Sequence, residues 1–144
     1  MDFNQTPSGL AELGGDLAYD LRQTYAKIVG EHLQDIALAR KADRYSIYYK
    51  SLRDLFVIVK HKFRKKKIKD VKTGKEKTEL EIYDELMKKA VLLANENRNE
   101  WLGVSKDSKA CANIEEALND IEMFLYEKID DAKMFGSSGV VAGL

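Results

Sequence analysis

The stretch YSIYYKSLRDLFVIVKHKF, residues 45–63, decides the fold. Its apolar side chains recur every three or four residues, and at about 100° per residue they gather within about 60° of one line along a helix. The members of this line are Tyr45, Tyr48, Tyr49, Leu52, Leu55, Phe56, Val59 and Phe63. The pattern predicts an amphipathic helix, with Asp43 as its N-cap, that buries this line against other helices.

Three further amphipathic helices are predicted around this one, which makes the fold all-α. The first begins at Asp16 and continues toward Lys41, and the third begins at a capping box formed by Thr78 and Glu81. Gly103 is suited to the position that follows a helix, so the third helix is expected to end there. The apolar line of the first helix drifts from Leu17, Leu21, Tyr25 and Ile28 round to Val29, Leu33 and Ile36.

The fourth helix is capped by Asp107 or Ser108 and ends at Gly136. Because the connections between helices are short, the helices are expected to form an antiparallel four-helix bundle. A lysine-rich loop or small hairpin, with a tight turn at Lys72, Thr73, Gly74 and Lys75, joins helices two and three. No Gly or Pro interrupts the chain at Ala42, so a single kinked helix is the alternative for the first two helices.

The chain divides into three parts. Residues 1–15 contain the only Pro and three of the nine Gly, and they are predicted to be an irregular lead-in. Residues 16–135 form one helical-bundle domain, and residues 136–144, SSGVVAGL with the preceding Gly, are a flexible tail.

The charge of the chain is balanced overall but segregated along it. The 24 basic and 24 acidic residues cancel, yet residues 45–78 carry +9 and residues 79–144 carry −7. Lysine dominates the basic segment and suits phosphate contacts that do not read sequence. The candidate anion-binding residues are Lys60, Lys62, Arg64, Lys65, Lys66, Lys67, Lys69, Lys72, Lys75 and Lys77. The alternatives are a solvated loop and a contact with the acidic surface of the fourth helix, within one subunit or between two.

Some apolar residues lie away from the main helical lines. They are expected either to form a second contact surface or to pack inside the bundle. The candidate protein-interface residues are Ile47, Val57, Ile58, Leu92, Met123 and Tyr126.

The sequence predicts no catalytic residues, no metal ligands and no cofactor. His32 and His61 lack the Glu-x-x-His spacing of a bundle metal site, and Cys111 is expected to be a half-buried structural thiol. No apolar run reaches the roughly 18 residues of a membrane span, so no membrane contact is expected. A cytoplasmic location, or one inside an intracellularly assembled particle, is predicted.

These observations favour a non-enzymatic interaction or assembly module. It is expected to form a homo-oligomer or bind a protein partner through its off-line apolar faces. The alternative is a nucleic-acid accessory protein that contacts phosphates through residues 60–77 without reading sequence. A structural component of a virus particle or other large assembly is the weaker alternative.

Overall fold

A computed structural model describes the backbone of residues 7–129 and the side chains of residues 19–129. That range contains five α-helices and one two-stranded sheet. The elements are α1 (Pro7–Lys41), α2 (Tyr45–Val59), a 3₁₀ turn (Lys60–Lys62), β1 (Ile68–Lys69), β2 (Glu76–Lys77), α3 (Glu79–Glu96), α4 (Arg98–Trp101) and α5 (Ser108–Ile129). The helical fold class is therefore confirmed, whereas the antiparallel four-helix bundle stays a prediction.

Helix α1 begins earlier than the sequence pattern suggests. It starts at Pro7, so the irregular lead-in predicted for residues 1–15 is wrong for residues 7–15. Proline fits the first turn of a helix, where its missing N–H has no helical partner to lose. The remainder of the predicted lead-in and the predicted tail, 136–144, lie outside the described residues.

The buried line of α1 differs from the predicted one. Leu21, placed on the apolar line, is 61% exposed, whereas Val29, Ile36 and Ala39 are buried. The drift of the apolar positions agrees with this result, since Val29 and Ile36 lie on the later part of the line and Leu21 on the earlier part. Tyr25 contacts His61 just beyond the end of α2, with ring centroids 5.7 Å apart.

Helices α1 and α2 are separate, so the single kinked helix is wrong. Asp43 has a φ of +54°. Its N–H donates to the Arg40 carbonyl at 3.2 Å, and the N–H of Arg44 donates to the Ala39 carbonyl at 3.0 Å. This pair of bonds is a Schellman motif, which satisfies the last carbonyls of α1. Asp43 thus ends α1 instead of capping α2, whose N-cap is Arg44.

The predicted line of α2 forms the centre of the core. Tyr45, Tyr48, Leu52, Leu55 and Val59 are all buried. Full burial of a leucine side chain contributes about 1.5–3 kcal/mol, so this line is a main source of stability.

Contacts at both ends of α2 and α5 show that these helices run in the same direction. Near their starts, the Tyr45 hydroxyl donates to Glu115 Oε1 at 2.8 Å. Near their ends, the rings of Phe63 and Phe124 meet edge to face at 5.5 Å. Tyr83 of α3 completes this aromatic cluster by stacking on Phe56 at 4.1 Å. The aromatic residues of α2 therefore pack in the core, as predicted.

The third predicted helix is divided in two. Helix α3 ends at Glu96, and Asn97 adopts φ −127° with its side-chain amide donating to the Leu93 carbonyl at 3.1 Å. The short helix α4 then ends before Gly103, which has a φ of +77°. Gly103 is thus the predicted terminator, but Asn97 interrupts the helix first, because its side chain competes for backbone hydrogen bonds.

Both predicted start signals of the later helices are confirmed. Thr78 Oγ1 accepts the Glu81 N–H at 3.1 Å, and the Glu81 carboxylate accepts the Thr78 N–H at 3.1 Å. Asp107 Oδ1 accepts the N–H of Ala110 at 2.9 Å at the start of α5. Among the helices of residues 7–129, none has the length and apolar character that a membrane span requires.

We expect Thr78→Ala to lower the free energy of unfolding by about 1 kcal/mol, because it removes an N-cap acceptor. Thr78→Ser keeps the oxygen and is expected to stay close to the original protein. Urea unfolding followed by circular dichroism measures both variants. Equal stability of Thr78→Ala and the original protein would contradict the role of this cap.

Candidate nucleic-acid interface

The lysine-rich segment forms a hairpin between α2 and α3, one of the two predicted possibilities. Its strands are antiparallel, with Ile68 opposite Lys77. The N–H of Gly74 donates to the Asp70 carbonyl at 2.7 Å. Gly74 has a φ of +73°, which glycine adopts at little cost because it lacks Cβ.

Asp70 organises the turn of the hairpin. Its Oδ1 accepts the backbone N–H of Lys72 at 3.0 Å, and its Oδ2 accepts the Thr73 hydroxyl at 3.2 Å. These bonds, above all the one from the Lys72 backbone, lower the pKa of the Asp70 carboxyl below its usual value. The turn is therefore held by local polar contacts and not by apolar packing.

Glu79 attaches the base of the hairpin to the helices. This first residue of α3 is only 1% exposed. Its Oε1 accepts the backbone N–H of Arg64 at 2.6 Å, and its Oε2 binds the Lys128 ammonium group. The Arg64 guanidinium lies 3.6 Å from the same Oε2. Such partners are required because a buried unpaired charge is strongly destabilising.

Lys128 brings α5 to this attachment point. Its ammonium group lies 5.2 Å from the ring centre of Phe124 and 5.9 Å from that of Phe63. Burial, followed by the charge of Arg64, lowers the pKa of Lys128 below its usual value. Glu79 and Lys128 thus connect the start of α3, the end of α5 and the chain that enters the hairpin.

Three candidate cations form ion pairs with acidic residues of the same chain. Besides Arg64, Lys72 Nζ lies 3.8 Å from Asp120 of α5. Lys77 Nζ lies 2.6 Å from Glu85 and 3.5 Å from Asp70. The hydrogen bond to Glu85 raises the pKa of Lys77. Because the Lys77 side chain is only 13% exposed, it holds the hairpin to α3 and does not belong to an open cationic surface.

Lys62 is also engaged within the protein. It is half-buried, and its ammonium group lies 5.7 Å from the ring centre of Tyr25. The remaining candidates are exposed and form no ion pair with any described residue. These six side chains, called the open lysines below, are Lys60, Lys65, Lys66, Lys67, Lys69 and Lys75. They concentrate positive charge on the 3₁₀ turn and the hairpin.

The predicted apolar interface is only partly exposed. Ile58 and Tyr126 are partly buried and pack against the core, which is the alternative that the sequence left open for them. Burial, followed by the side chain of Glu122, raises the pKa of Tyr126 above its usual value. The candidates that are exposed lie on three different helices and are Ile47, Val57, Leu92 and Met123.

A second buried carboxylate was not anticipated from the sequence. Glu122 of α5 accepts the Tyr48 hydroxyl and pairs with the Arg40 guanidinium. The Tyr48 hydroxyl also lies 2.7 Å from Asn119 Oδ1. Burial, followed by the bond to Glu122, raises the pKa of Tyr48 above its usual value. This network joins α1, α2 and α5.

The start of α5 borders a cavity of about 280 Å³. Tyr45, Lys106, Cys111 and Glu115 are among its lining residues. Cys111 is half-buried, as predicted. Within residues 19–129, no group of three or more His, Cys, Asp or Glu side chains is arranged to hold a metal ion.

Comparison of the chain with protein-family models, curated proteins and solved structures finds no match.

We expect Glu79→Gln to destabilise the fold by about 3–5 kcal/mol, because it leaves the buried Lys128 ammonium without a counter-charge. Adding Lys128→Met should recover most of this loss. Glu76→Gln, on the exposed strand of the hairpin, is the control and should change stability by no more than about 0.5 kcal/mol.

Thermal and urea unfolding test these variants. A Glu79→Gln protein as stable as the Glu76→Gln control would show that the buried ion pair does not hold this region together.

Proposed function

We propose that the protein is a non-enzymatic binding module that contacts the phosphate backbone of nucleic acid through the open lysines. The observation that supports this proposal is the number of exposed cations that form no ion pair with any described residue. Six lysines lie on one turn and hairpin, where the acidic residues between positions 60 and 77 are Asp70 and Glu76 alone. Of these two, Asp70 is already engaged by the turn and by Lys77.

The chemistry of the open lysines favours contacts with phosphate over contacts with bases. A lysine ammonium is a strongly hydrated point charge on a flexible stem, whereas base recognition favours the planar fork of arginine. The arginine of the segment, Arg64, is directed to the buried Glu79. Binding is therefore expected to depend on salt and to be almost independent of sequence.

The aromatic residues next to the basic segment are not available for stacking on nucleotide bases. Phe56 and Phe63 pack with Tyr83 inside the protein. Base stacking on these rings would require the core to open, which costs more than a stacked base contributes, about 1–3 kcal/mol.

Self-association through the off-line apolar faces has less support. Ile58 and Tyr126 pack inward. Val57 and Leu92 lie on the solvent sides of α2 and α3, and scattered apolar residues of this kind are common on protein surfaces. The antiparallel four-helix arrangement, the cytoplasmic location and a place in a virus particle remain hypotheses.

We expect the protein to bind duplex DNA of unrelated sequences with similar affinity. If about five lysines contact phosphates, the slope of log K against log salt should be about −4 to −5. Replacing Lys65, Lys66, Lys67 and Lys69 together by Gln should remove most of the affinity and reduce the slope by about 3 to 4. Fluorescence anisotropy with labelled duplexes measures both quantities.

The control variant loses the same number of positive charges at positions outside residues 60–77. It replaces the exposed residues Lys88, Lys89, Lys106 and Lys109 by Gln. The control should keep the original slope. An equal loss in both variants would indicate attraction by net charge alone, and no binding at about 50 mM salt would refute the proposal.

A further inference from the structure

The hairpin lies along one flank of α5. Lys72 is close to Asp120, Phe63 contacts Phe124, and Glu79 binds Lys128. The three α5 residues are spaced at intervals of four, so they follow one side of the helix.

An acidic stripe lies beside this flank on the solvent side of α5. At about 100° per residue, Glu116, Met123 and Glu127 fall within about 40° of one another and about 20–60° from Asp120. Both glutamates are exposed and form no ion pair with any described residue. Met123 lies between them along the helix and is 67% exposed.

The hairpin also has an exposed apolar side chain, but its charges are positive. Val71 at its tip is 98% exposed, and it is close in sequence to the open lysines Lys69 and Lys75. Each surface therefore combines an exposed apolar side chain with unpaired charges, positive on the hairpin and negative on α5. Removing an exposed apolar side chain from water is favourable, and the opposite charges favour contact between these two surfaces.

We propose that a second copy of this chain docks on this face, with the hairpin of each subunit on the acidic stripe of the other. Because the two surfaces lie side by side on one molecule, a twofold axis brings both pairs together in one closed dimer. This inference goes beyond nucleic-acid binding, since the partner is the protein itself and the contact requires Glu116 and Glu127.

The proposed dimer is expected to be weak and sensitive to salt. A contact between one hairpin tip and one helix face is small, as in transient complexes. Exposed charges are screened over about 10 Å at 0.1 M ionic strength. Association should therefore appear at micromolar protein and low salt and decrease as salt is added.

The decisive experiment exchanges the charges of the two surfaces. One variant carries Lys69→Glu and Lys75→Glu, the other carries Glu116→Lys and Glu127→Lys, and the control carries Lys88→Glu and Lys106→Glu, two exposed residues outside α5. Sedimentation velocity is measured on full-length, nuclease-treated protein, so that nucleic acid does not bridge subunits. Each single-surface variant should raise the dissociation constant about tenfold or more, because like charges then face each other.

An equimolar mixture of the two variants should dimerise again, since every contact is attractive in the mixed pair. Met123→Ala should weaken the dimer without a change of charge, and the control should behave like the original protein. A strictly monomeric original protein, a dimer lost on nuclease treatment, or a mixture that stays monomeric would each overturn the proposal. The Glu116→Lys, Glu127→Lys variant keeps every open lysine, so DNA binding by this variant separates failure of the dimer from failure of the proposed function.

Discussion

The buried carboxylate of Glu79 is the contact on which the position of the lysine hairpin depends. It accepts the backbone N–H of Arg64, where the chain enters the hairpin, and it pairs with Lys128 near the end of α5. The strands of the hairpin have only two residues each, too few to be stable alone. The hairpin therefore takes its orientation from the helices through this carboxylate and through the bonds of Lys77 to Glu85 and Asp70.

A second buried carboxylate has the corresponding role at the centre of the molecule. Glu122 joins Arg40 of α1 to Tyr48 of α2. Apolar burial along α2 and α5 supplies the main driving force for folding. The two carboxylates then restrict how the helices can slide, because every shift would leave a buried charge without its partner.

The sequence predicts those features of the fold that arise from neighbouring residues. The apolar line of α2, the Thr78 capping box and the turn at Gly74 each depend on positions within a few turns, and all three are found in the structure. Glu79 and Glu122 were missed because a glutamate in an amphipathic pattern resembles any solvent-facing charge. Lys128, which pairs with Glu79, is 49 residues away from it, and Arg40, which pairs with Glu122, is 82 residues away, so no local spacing reveals these ion pairs.

The sequence identifies the basic residues of the candidate site but not which of them form contacts within the protein. Counting charges identified ten basic residues, yet only the folded chain separates the six open lysines from the other four. Arg64, Lys72 and Lys77 form ion pairs, and Lys62 lies over the ring of Tyr25. The same limitation applies to Ile58, whose neighbours along the helix do not indicate whether another helix covers it.

Native-state hydrogen exchange of the Arg64 amide tests most directly whether Glu79 fixes the hairpin. This amide is bonded to a buried carboxylate, so it should exchange far more slowly than an amide of the free chain. The amides of Lys65 and Lys66, which have no such acceptor, serve as internal references within the same sample. Strong protection of Arg64 with fast exchange at Lys65 and Lys66 is the expected result. Exchange of Arg64 at the free-chain rate would contradict a hairpin held in place by Glu79.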